Sequence, residues 1–167
     1  MMKLAFLIID MQKEFNTSSE TEYLMQEASE YIVWTHRLFK HNHWPTIVIQ
    51  DADMPDGKNN PGYAMIDALS SIEADAYVSK LLPNSFWETE LNTILKGYNV
   101  DSVLLSGFNA AYCVTATYFG ALERGWQPSI LKNGIASHKE RYVLQAQELF
   151  DCLSYNQIAA FIKSSSP

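Results

Sequence analysis

The chain has 167 residues, of which 47% are hydrophobic and 19% are charged. This length and composition are typical of one globular domain with a sizeable core, so we treat residues 1–167 as a single domain. The formal net charge of −7 excludes a non-specific nucleic-acid surface, because phosphate binding needs clusters of lysine and arginine.

The first predicted element is a strand over Leu4–Ile9, an unbroken apolar run of the kind that lies in the centre of a parallel sheet. The run is too short to cross a bilayer and leads into Asp10 rather than a small-residue cleavage site, so we expect neither a membrane partner nor a signal peptide. Two cysteines, Cys113 and Cys152, make no disulfide framework, which favours a cytoplasmic protein.

Beyond this strand, the sequence alternates between predicted strands and helices. Further strands are predicted over residues 46–50, 76–79, 101–106 and 127–131, with a sixth of one or two residues before Tyr155. Helices are predicted over residues 19–39, 63–69, 86–96, 113–124, 141–153 and 155–163; the first opens with a capping box of Ser19 and Glu22, and residues 164–167 are expected to fray. The alternation predicts a Rossmann-like α/β fold, a three-layer α/β/α sandwich with a mostly parallel five- or six-stranded sheet.

Three residues that carry chemistry follow predicted strands: Asp10, Lys80 and Cys113. The carboxyl ends of parallel strands line the binding crevice of an α/β sheet, so we expect these side chains to meet. A base, a cation and a thiol are the minimum set that activates a sulfur nucleophile, and the start of a helix lowers the pKa of a cysteine held there. Each residue also has a structural interpretation: a helix cap, a solvated lysine and a small buried hydrophobe.

The candidates for metal and cofactor binding are weaker. Asp51 and Asp53 follow the second strand and are hard-cation ligands by type, but no histidine stands near them. The histidines His36, His41 and His43 straddle a helix end and a loop, which does not favour a metal site. The segment from Gly107 to Cys113 lacks the GxGxxG and GxxxxGK[ST] phosphate-binding patterns, so we expect no cofactor.

Three segments resemble the isochorismatase-like cysteine hydrolases, the family that includes nicotinamidases and N-carbamoylsarcosine amidohydrolases. Residues 10–12, Asp-Met-Gln, with Phe15 are similar to the family's DMQxxF opening. Lys80 and Phe86 keep their places in a segment similar to K-x-x-x-SAF, whose intervening residues differ here. The most specific match is a set of residues at the family's spacing: Gly107, Cys113, Val114, Thr117, Ala121 and Gly125. The resemblance covers essentially the whole chain.

The resemblance implies that Asp10, Lys80 and Cys113 form a catalytic triad. In the family's mechanism the aspartate takes the thiol proton, the lysine favours the thiolate, and the cysteine attacks a carbonyl carbon to form a thioester with loss of ammonia or an amine. The resemblance also implies a cis peptide at Phe108-Asn109 and an oxyanion hole made by the backbone N–H groups of Asn109 and Cys113, worth about 2.7–4 kcal/mol per donor.

One departure from the family bears on the substrate. Nicotinamidases carry a DxH…H metal site after the second strand, whereas this chain has Asp51-Ala52-Asp53 with no histidine in the loop that follows. We therefore expect no metal and disfavour a nicotinamidase. Isochorismatases tend to lack the cysteine, so the resemblance does not favour vinyl-ether hydrolysis either. The aromatic residues expected to wall the pocket suit a small planar amide, although packing is an equal alternative for each: Phe15, Phe86, Trp87 and Tyr112.

The sequence therefore predicts a cysteine hydrolase that cleaves the C–N bond of a small non-peptide amide, ureide or carbamoyl compound. The alternative is a non-catalytic member of the same fold that binds a ligand or assembles. The expected partners are a small-molecule substrate and further copies of the chain, because the family commonly forms dimers or tetramers.

Overall fold

The computed structural model describes residues 3–165, and within them six parallel strands form one sheet. The strands are β1 (Leu4–Ile9), β2 (Thr46–Asp51), β3 (Ala76–Lys80), β4 (Ser102–Phe108), β5 (Gln127–Ala136) and β6 (Cys152–Leu153). Their order across the sheet is β3-β2-β1-β4-β5-β6, the doubly wound order of Rossmann-like folds. The predicted α/β fold class is confirmed, and the strand order reverses between β1 and β4.

Helices cover both faces of the sheet and bury it as a three-layer sandwich. They are α1 (Ser19–His41), α2 (Leu91–Gly97), α3 (Thr115–Leu122), α4 (Glu140–Leu149) and α5 (Tyr155–Ser165). Alternate β1 residues separate into two cores: Phe6 and Ile8 pack with α1 and α5, whereas Leu7 and Ile9 pack with α2, α3 and α4. Because both faces are covered, the apolar run of β1 has no polar alternation. The expected fraying of residues 164–167 falls partly outside the described residues, which end at residue 165.

Two helices differ from their predictions, one in its capping residue and one in its length, because side-chain and tertiary contacts override local propensity. The cap of α1 is Ser18, not Ser19, and its hydroxyl accepts the Thr21 N–H at 3.1 Å. The helix predicted over residues 63–69 is a short 3₁₀ turn, Asp67–Leu69. Here the Ile66 N–H donates to the Met11 carbonyl at 2.9 Å, so the segment is drawn toward the end of β1.

Three further predicted boundaries were wrong. The helix predicted over residues 86–96 begins at Leu91, since Glu88 adopts a left-handed conformation (φ 52°) that no helix continues through. The helix predicted over residues 141–153 ends at Leu149, where the chain turns into β6. Strand β5 continues to Ala136 instead of ending at residue 131, and its extension pairs with Phe108 at the edge that carries the site.

Candidate active site

The structure brings the three predicted strand-end residues together at one edge of the sheet. Asp10 follows β1, Lys80 ends β3, and Cys113 lies in the loop after β4. The Lys80 Nζ lies 2.8 Å from Asp10 Oδ2 and 3.6 Å from Cys113 Sγ. Both charged side chains are buried: that of Lys80 is 0% exposed and that of Asp10 is 1% exposed. A buried ion pair in contact with a thiol is the arrangement that the strand ends predicted.

A second carboxylate, that of Asp51, also contacts the lysine. Asp51 Oδ2 lies 3.0 Å from Lys80 Nζ, because β2 and β3 are neighbouring parallel strands in which Asp51 and Lys80 are register partners. Sequence reasoning considered Asp51 only as a cation ligand together with Asp53. Asp53 is exposed, and its backbone N–H donates to Asp51 Oδ1 at 2.8 Å. Opposite charges at the ends of consecutive strands are the only trace of the Asp51–Lys80 pair in the sequence, and the sequence prediction did not use it.

Gln12 is a second residue that sequence reasoning did not place in the site. Its buried amide bonds twice to the Asp51 backbone: Nε2 donates to the carbonyl at 2.9 Å, and Oε1 accepts the N–H at 2.7 Å. Nε2 also donates to the Tyr63 carbonyl at 3.1 Å. This clamp ties the segment after β1 to the end of β2, so it fixes the backbone from which Asp51 reaches Lys80.

The loop that carries Cys113 is held by a close backbone approach and a polar tie. Gly107 has φ 107°, and a Cβ there would lie 2.0 Å from the Ile9 carbonyl oxygen. The peptide bond Phe108-Asn109 is cis, as the resemblance implied. The Asn109 Oδ1 accepts the Ala111 N–H at 3.2 Å and is also bonded to the hydroxyl of buried Ser137.

The helix predicted to open at Cys113 is corrected by the structure. A π-helical turn covers Ala110–Val114, and α3 starts only at Thr115. The turn is capped by the Asn109 side chain, since a polar side chain that accepts a backbone N–H satisfies one of the donors left free at a helix start. Cys113 therefore lies in the first turn of a helical segment that begins at Ala110, three residues earlier than predicted, and that continues into α3.

Burial and neighbouring charge set the protonation of the site. Burial raises the pKa of the Cys113 thiol to about 12, and the Asp10 carboxylate adds to this effect against the opposing pull of Lys80. Burial raises the pKa of Asp10 to about 6, although the Lys80 ammonium lowers it. Burial lowers the pKa of Lys80, but Asp10, Cys113 and Asp51 outweigh it and raise the value to about 12.

The expectation of a lowered thiol pKa is therefore wrong for this arrangement. Two carboxylates share the Lys80 charge, so the ammonium cannot offset both the burial of the sulfur and its proximity to Asp10. At neutral pH the site holds a protonated thiol beside a carboxylate that can accept its proton.

The carboxylate and sulfur groups do not fit a resident divalent metal. Ligand atoms of Asp10, Asp51 and Cys113 lie within 4.8 Å of one another. However, one oxygen of each carboxylate already contacts the Lys80 ammonium. No histidine within residues 3–165 belongs to this cluster. The ammonium is thus the cation that the two carboxylates hold, and a zinc site of the nicotinamidase type lacks its histidine ligands.

The four aromatic residues predicted to wall the pocket occupy different environments. Phe86 is only 4% exposed and packs in the core under the Arg124 guanidinium, 5.3 Å from the ring centroid, which favours the packing alternative. Phe15 is half-buried and stacks on Phe108 with ring centroids 5.4 Å apart. Trp87 and Tyr112 are exposed, and Trp87 shares a cavity of about 300 Å³ with Lys80.

Comparisons with known proteins agree with this geometry. A family model described as the isochorismatase domain matches residues 4–156. The chain belongs to the isochorismatase-like hydrolase family. The predicted family is therefore confirmed, and so is its hydrolase fold.

Individual relatives are distant. The chain is 28% identical over 119 residues to YrdC, an isochorismatase family protein of Bacillus subtilis; the match covers 69% of this chain and spans 64% of the length of YrdC. A cysteine hydrolase from Pseudomonas syringae has a similar structure, with a TM-score of 0.81, 18% identity, and coverage of 98% of this chain and 94% of that one. N-carbamoylsarcosine amidase from Thermoplasma acidophilum gives a TM-score of 0.78, 21% identity, and coverage of 92% and 95%. Within residues 3–165, none of the helices of this isochorismatase-like hydrolase has the length and apolarity that a membrane span requires.

Proposed function

We propose that this isochorismatase-like hydrolase is a cysteine amidohydrolase that cleaves the C–N bond of a small non-peptide amide, ureide or carbamoyl compound. The observation that carries the proposal is the contact of one buried ammonium with a carboxylate at 2.8 Å and a thiol at 3.6 Å. Burying an ion pair is costly and rarely favours stability over an apolar alternative. Its presence beside a cysteine supports a chemical role for Asp10, Lys80 and Cys113.

In the first half-reaction, Asp10 accepts the thiol proton as the Cys113 sulfur attacks the carbonyl carbon. The S–C bond forms, and the carbonyl oxygen takes up negative charge as an oxyanion. The backbone N–H groups of Asn109 and Cys113 are the proposed donors to this oxygen, because donors aimed at developing charge stabilise the transition state. The C–N bond then breaks, the leaving nitrogen receives the proton from Asp10, and a thioester remains on Cys113.

In the second half-reaction, water hydrolyses the thioester. Asp10, again a carboxylate, takes a proton from the water as its oxygen attacks the thioester carbon. The C–S bond breaks, the product acid or carbamate leaves, and the proton on Asp10 returns to the sulfur. The thiol and the carboxylate are thereby restored, and no oxidant, reductant or metal takes part.

Lys80 lowers the cost of the proton transfer because it contacts both participants. When the proton moves from sulfur to Asp10, the negative charge moves from a carboxylate 2.8 Å from the ammonium to a sulfur 3.6 Å from it. The charge therefore stays beside the same cation throughout. This explains how a thiol with a raised pKa can serve as a nucleophile: the thiolate forms only during the attack.

Alkylation and turnover test the proposal. After exposure to iodoacetamide, mass spectrometry should find Cys113 modified ahead of Cys152, and Cys113→Ala should abolish turnover of whichever compound in a panel of amides and ureides the wild type hydrolyses. Circular dichroism of the variant should match the wild type. Turnover that survives in Cys113→Ala, or modification of Cys152 alone, would contradict the nucleophile. A wild type that binds members of the panel but hydrolyses none would favour the non-catalytic alternative.

A further inference from the structure

The charges around the candidate nucleophile do not balance. One ammonium, that of Lys80, contacts two carboxylates, those of Asp10 and Asp51. With the thiol protonated, these groups carry a formal charge of −1, and the excess charge is that of Asp51.

Asp51 is held in this position from both its backbone and its side chain. The Gln12 amide clamps its backbone N–H and carbonyl at 2.7 and 2.9 Å. One carboxylate oxygen contacts Lys80 and the other accepts the Asp53 N–H at 2.8 Å. The side chain is 15% exposed, so solvent screens its charge only in part. A fixed and poorly screened carboxylate acts on any charge that enters the site.

We propose that Asp51 is a specificity-determining residue. Its carboxylate and that of Asp10 contact the same Lys80 ammonium, and the remaining negative charge makes the site accept uncharged or cationic amides and exclude anionic ones. The inference rests on the proposed function only for the reaction that Cys113 carries out. The charge preference of the site does not depend on that reaction. An amide with a carboxylate or phosphate beside its scissile bond brings a like charge to within several ångströms of Asp51, and a second negative charge arises on the oxyanion. A neutral carboxamide or an amide with a protonated amine meets no such repulsion.

A pair of alkylating reagents measures this preference without knowledge of the substrate. Iodoacetamide and iodoacetate are similar in size, and both form an S–C bond to the cysteine thiolate with release of iodide, but only iodoacetate is anionic. The quantity to measure is the ratio of their rates at Cys113, followed by mass spectrometry. The ratio cancels changes in thiol pKa between variants, because both reagents require the same thiolate. The neutral thiol 2-mercaptoethanol gives the reference ratio.

We expect the ratio of the iodoacetamide rate to the iodoacetate rate at Cys113 to be about tenfold higher in the wild type than in Asp51→Asn, since a like charge roughly 5 Å away in a partly screened site has about this effect. The substitution lowers the ratio because the amide keeps the shape of the side chain but removes its charge. Asp53→Asn is the matched control: it removes a carboxylate two residues away that is exposed to solvent, and the ratio should not change.

Several outcomes would overturn the inference. A wild-type ratio below that of 2-mercaptoethanol would show a site that favours the anionic reagent, and it would overturn the inference even where Asp51→Asn fails to fold. Equal shifts in Asp51→Asn and Asp53→Asn would show a general surface effect instead of a specific one. Resistance of Cys113 to both reagents would overturn this inference and the proposed function together. The predicted ratios without turnover of any amide would leave the charge preference standing and count against the amidohydrolase alone.

Discussion

At the scale of single residues, function in this protein depends on a few buried groups whose charges are mutually dependent. In the proposed mechanism Asp10 and Cys113 exchange one proton, and the structure places the Lys80 ammonium in contact with both. Because the pKa of Asp10 is raised to about 6 by burial, the protonation state of the proposed base changes within an accessible pH range. Activity should therefore report directly on Asp10.

We expect kcat/KM to fall on the acid side of pH 6, by about tenfold per pH unit, because a protonated Asp10 cannot accept the thiol proton. Asp51 is one of the charges that raise the pKa of Asp10, so Asp51→Asn should move this acid limb to lower pH. Asp53→Asn should leave it in place. A profile that stays flat to pH 4, or an acid limb that moves upward in Asp51→Asn, would contradict the assignment of Asp10 as the base.

Removal of the ammonium should cost stability as well as activity. Lys80→Met leaves two carboxylates close together without a cation, and breaking a buried ion pair in this way costs about 3–5 kcal/mol in the free energy of unfolding. The loss should be larger at pH 8 than at pH 5. At the lower pH, Asp10 can take up a proton in the folded variant, since without the ammonium its raised pKa rises further.

Urea denaturation at the two pH values checks this prediction. Lys132→Met is the control, because Lys132 is exposed and a substitution there should change the free energy of unfolding by less than about 0.5 kcal/mol. A Lys80→Met variant as stable as the control would show that the two carboxylates tolerate each other without the ammonium.

At the scale of elements, the sequence predicts what depends on local pattern and misses what depends on strand order. The ends of parallel strands share one edge whatever their order, so Asp10, Lys80 and Cys113 could be placed together from the sequence. The contact of Asp51 with Lys80 needs β2 beside β3 in a particular register, and long-range packing sets both. The Gln12 clamp requires the same information, since it joins residues 39 positions apart.

The close approach of β4 to β1 makes Gly107 sensitive to substitution. In Gly107→Ala, the new Cβ would lie 2.0 Å from the Ile9 carbonyl oxygen at a φ of 107°. A positive φ of this kind costs a residue with a side chain about 1–3 kcal/mol in the free energy of unfolding. In addition, the clash between the new Cβ and Ile9 can be relieved only if the two central strands β1 and β4 move apart. We expect a loss of about 3 kcal/mol or more in the free energy of unfolding.

Gly97→Ala is the matched control for this experiment. Gly97 ends α2 and keeps a negative φ, and a methyl group added there would meet no atom within 4 Å, so alanine should be neutral or stabilise by up to about 1 kcal/mol. Urea denaturation of both variants compares them. Equal stability of Gly107→Ala and Gly97→Ala would mean that β4 does not approach β1 as closely as described.

At the scale of the whole molecule, the described residues expose an apolar surface near the candidate site. A groove of about 500 Å³ lies between α4 and the turn Ala110–Val114 that carries Cys113, here called the cysteine loop. It is lined in part by Phe119 and Leu149, which are 51% and 67% exposed. Large exposed apolar side chains that adjoin one groove are typical of interaction sites. The groove also includes Ala110 and Ala111 of the turn that carries Cys113, so contact here would bear on the site.

We expect the protein to form a homo-oligomer, a dimer or tetramer, in which a second copy of the chain covers this groove. The double variant Phe119→Lys/Leu149→Lys places two positive charges on the surface that must be desolvated, so it should shift the assembly toward the monomer in sedimentation velocity. Leu144→Lys is the control, because Leu144 is exposed on the same helix, α4, but lines a different groove facing α1. A wild type that sediments as a monomer at all concentrations would contradict the oligomer. An assembly that survives the double variant but not the control would move the interface to the α1 side of α4, away from the cysteine loop.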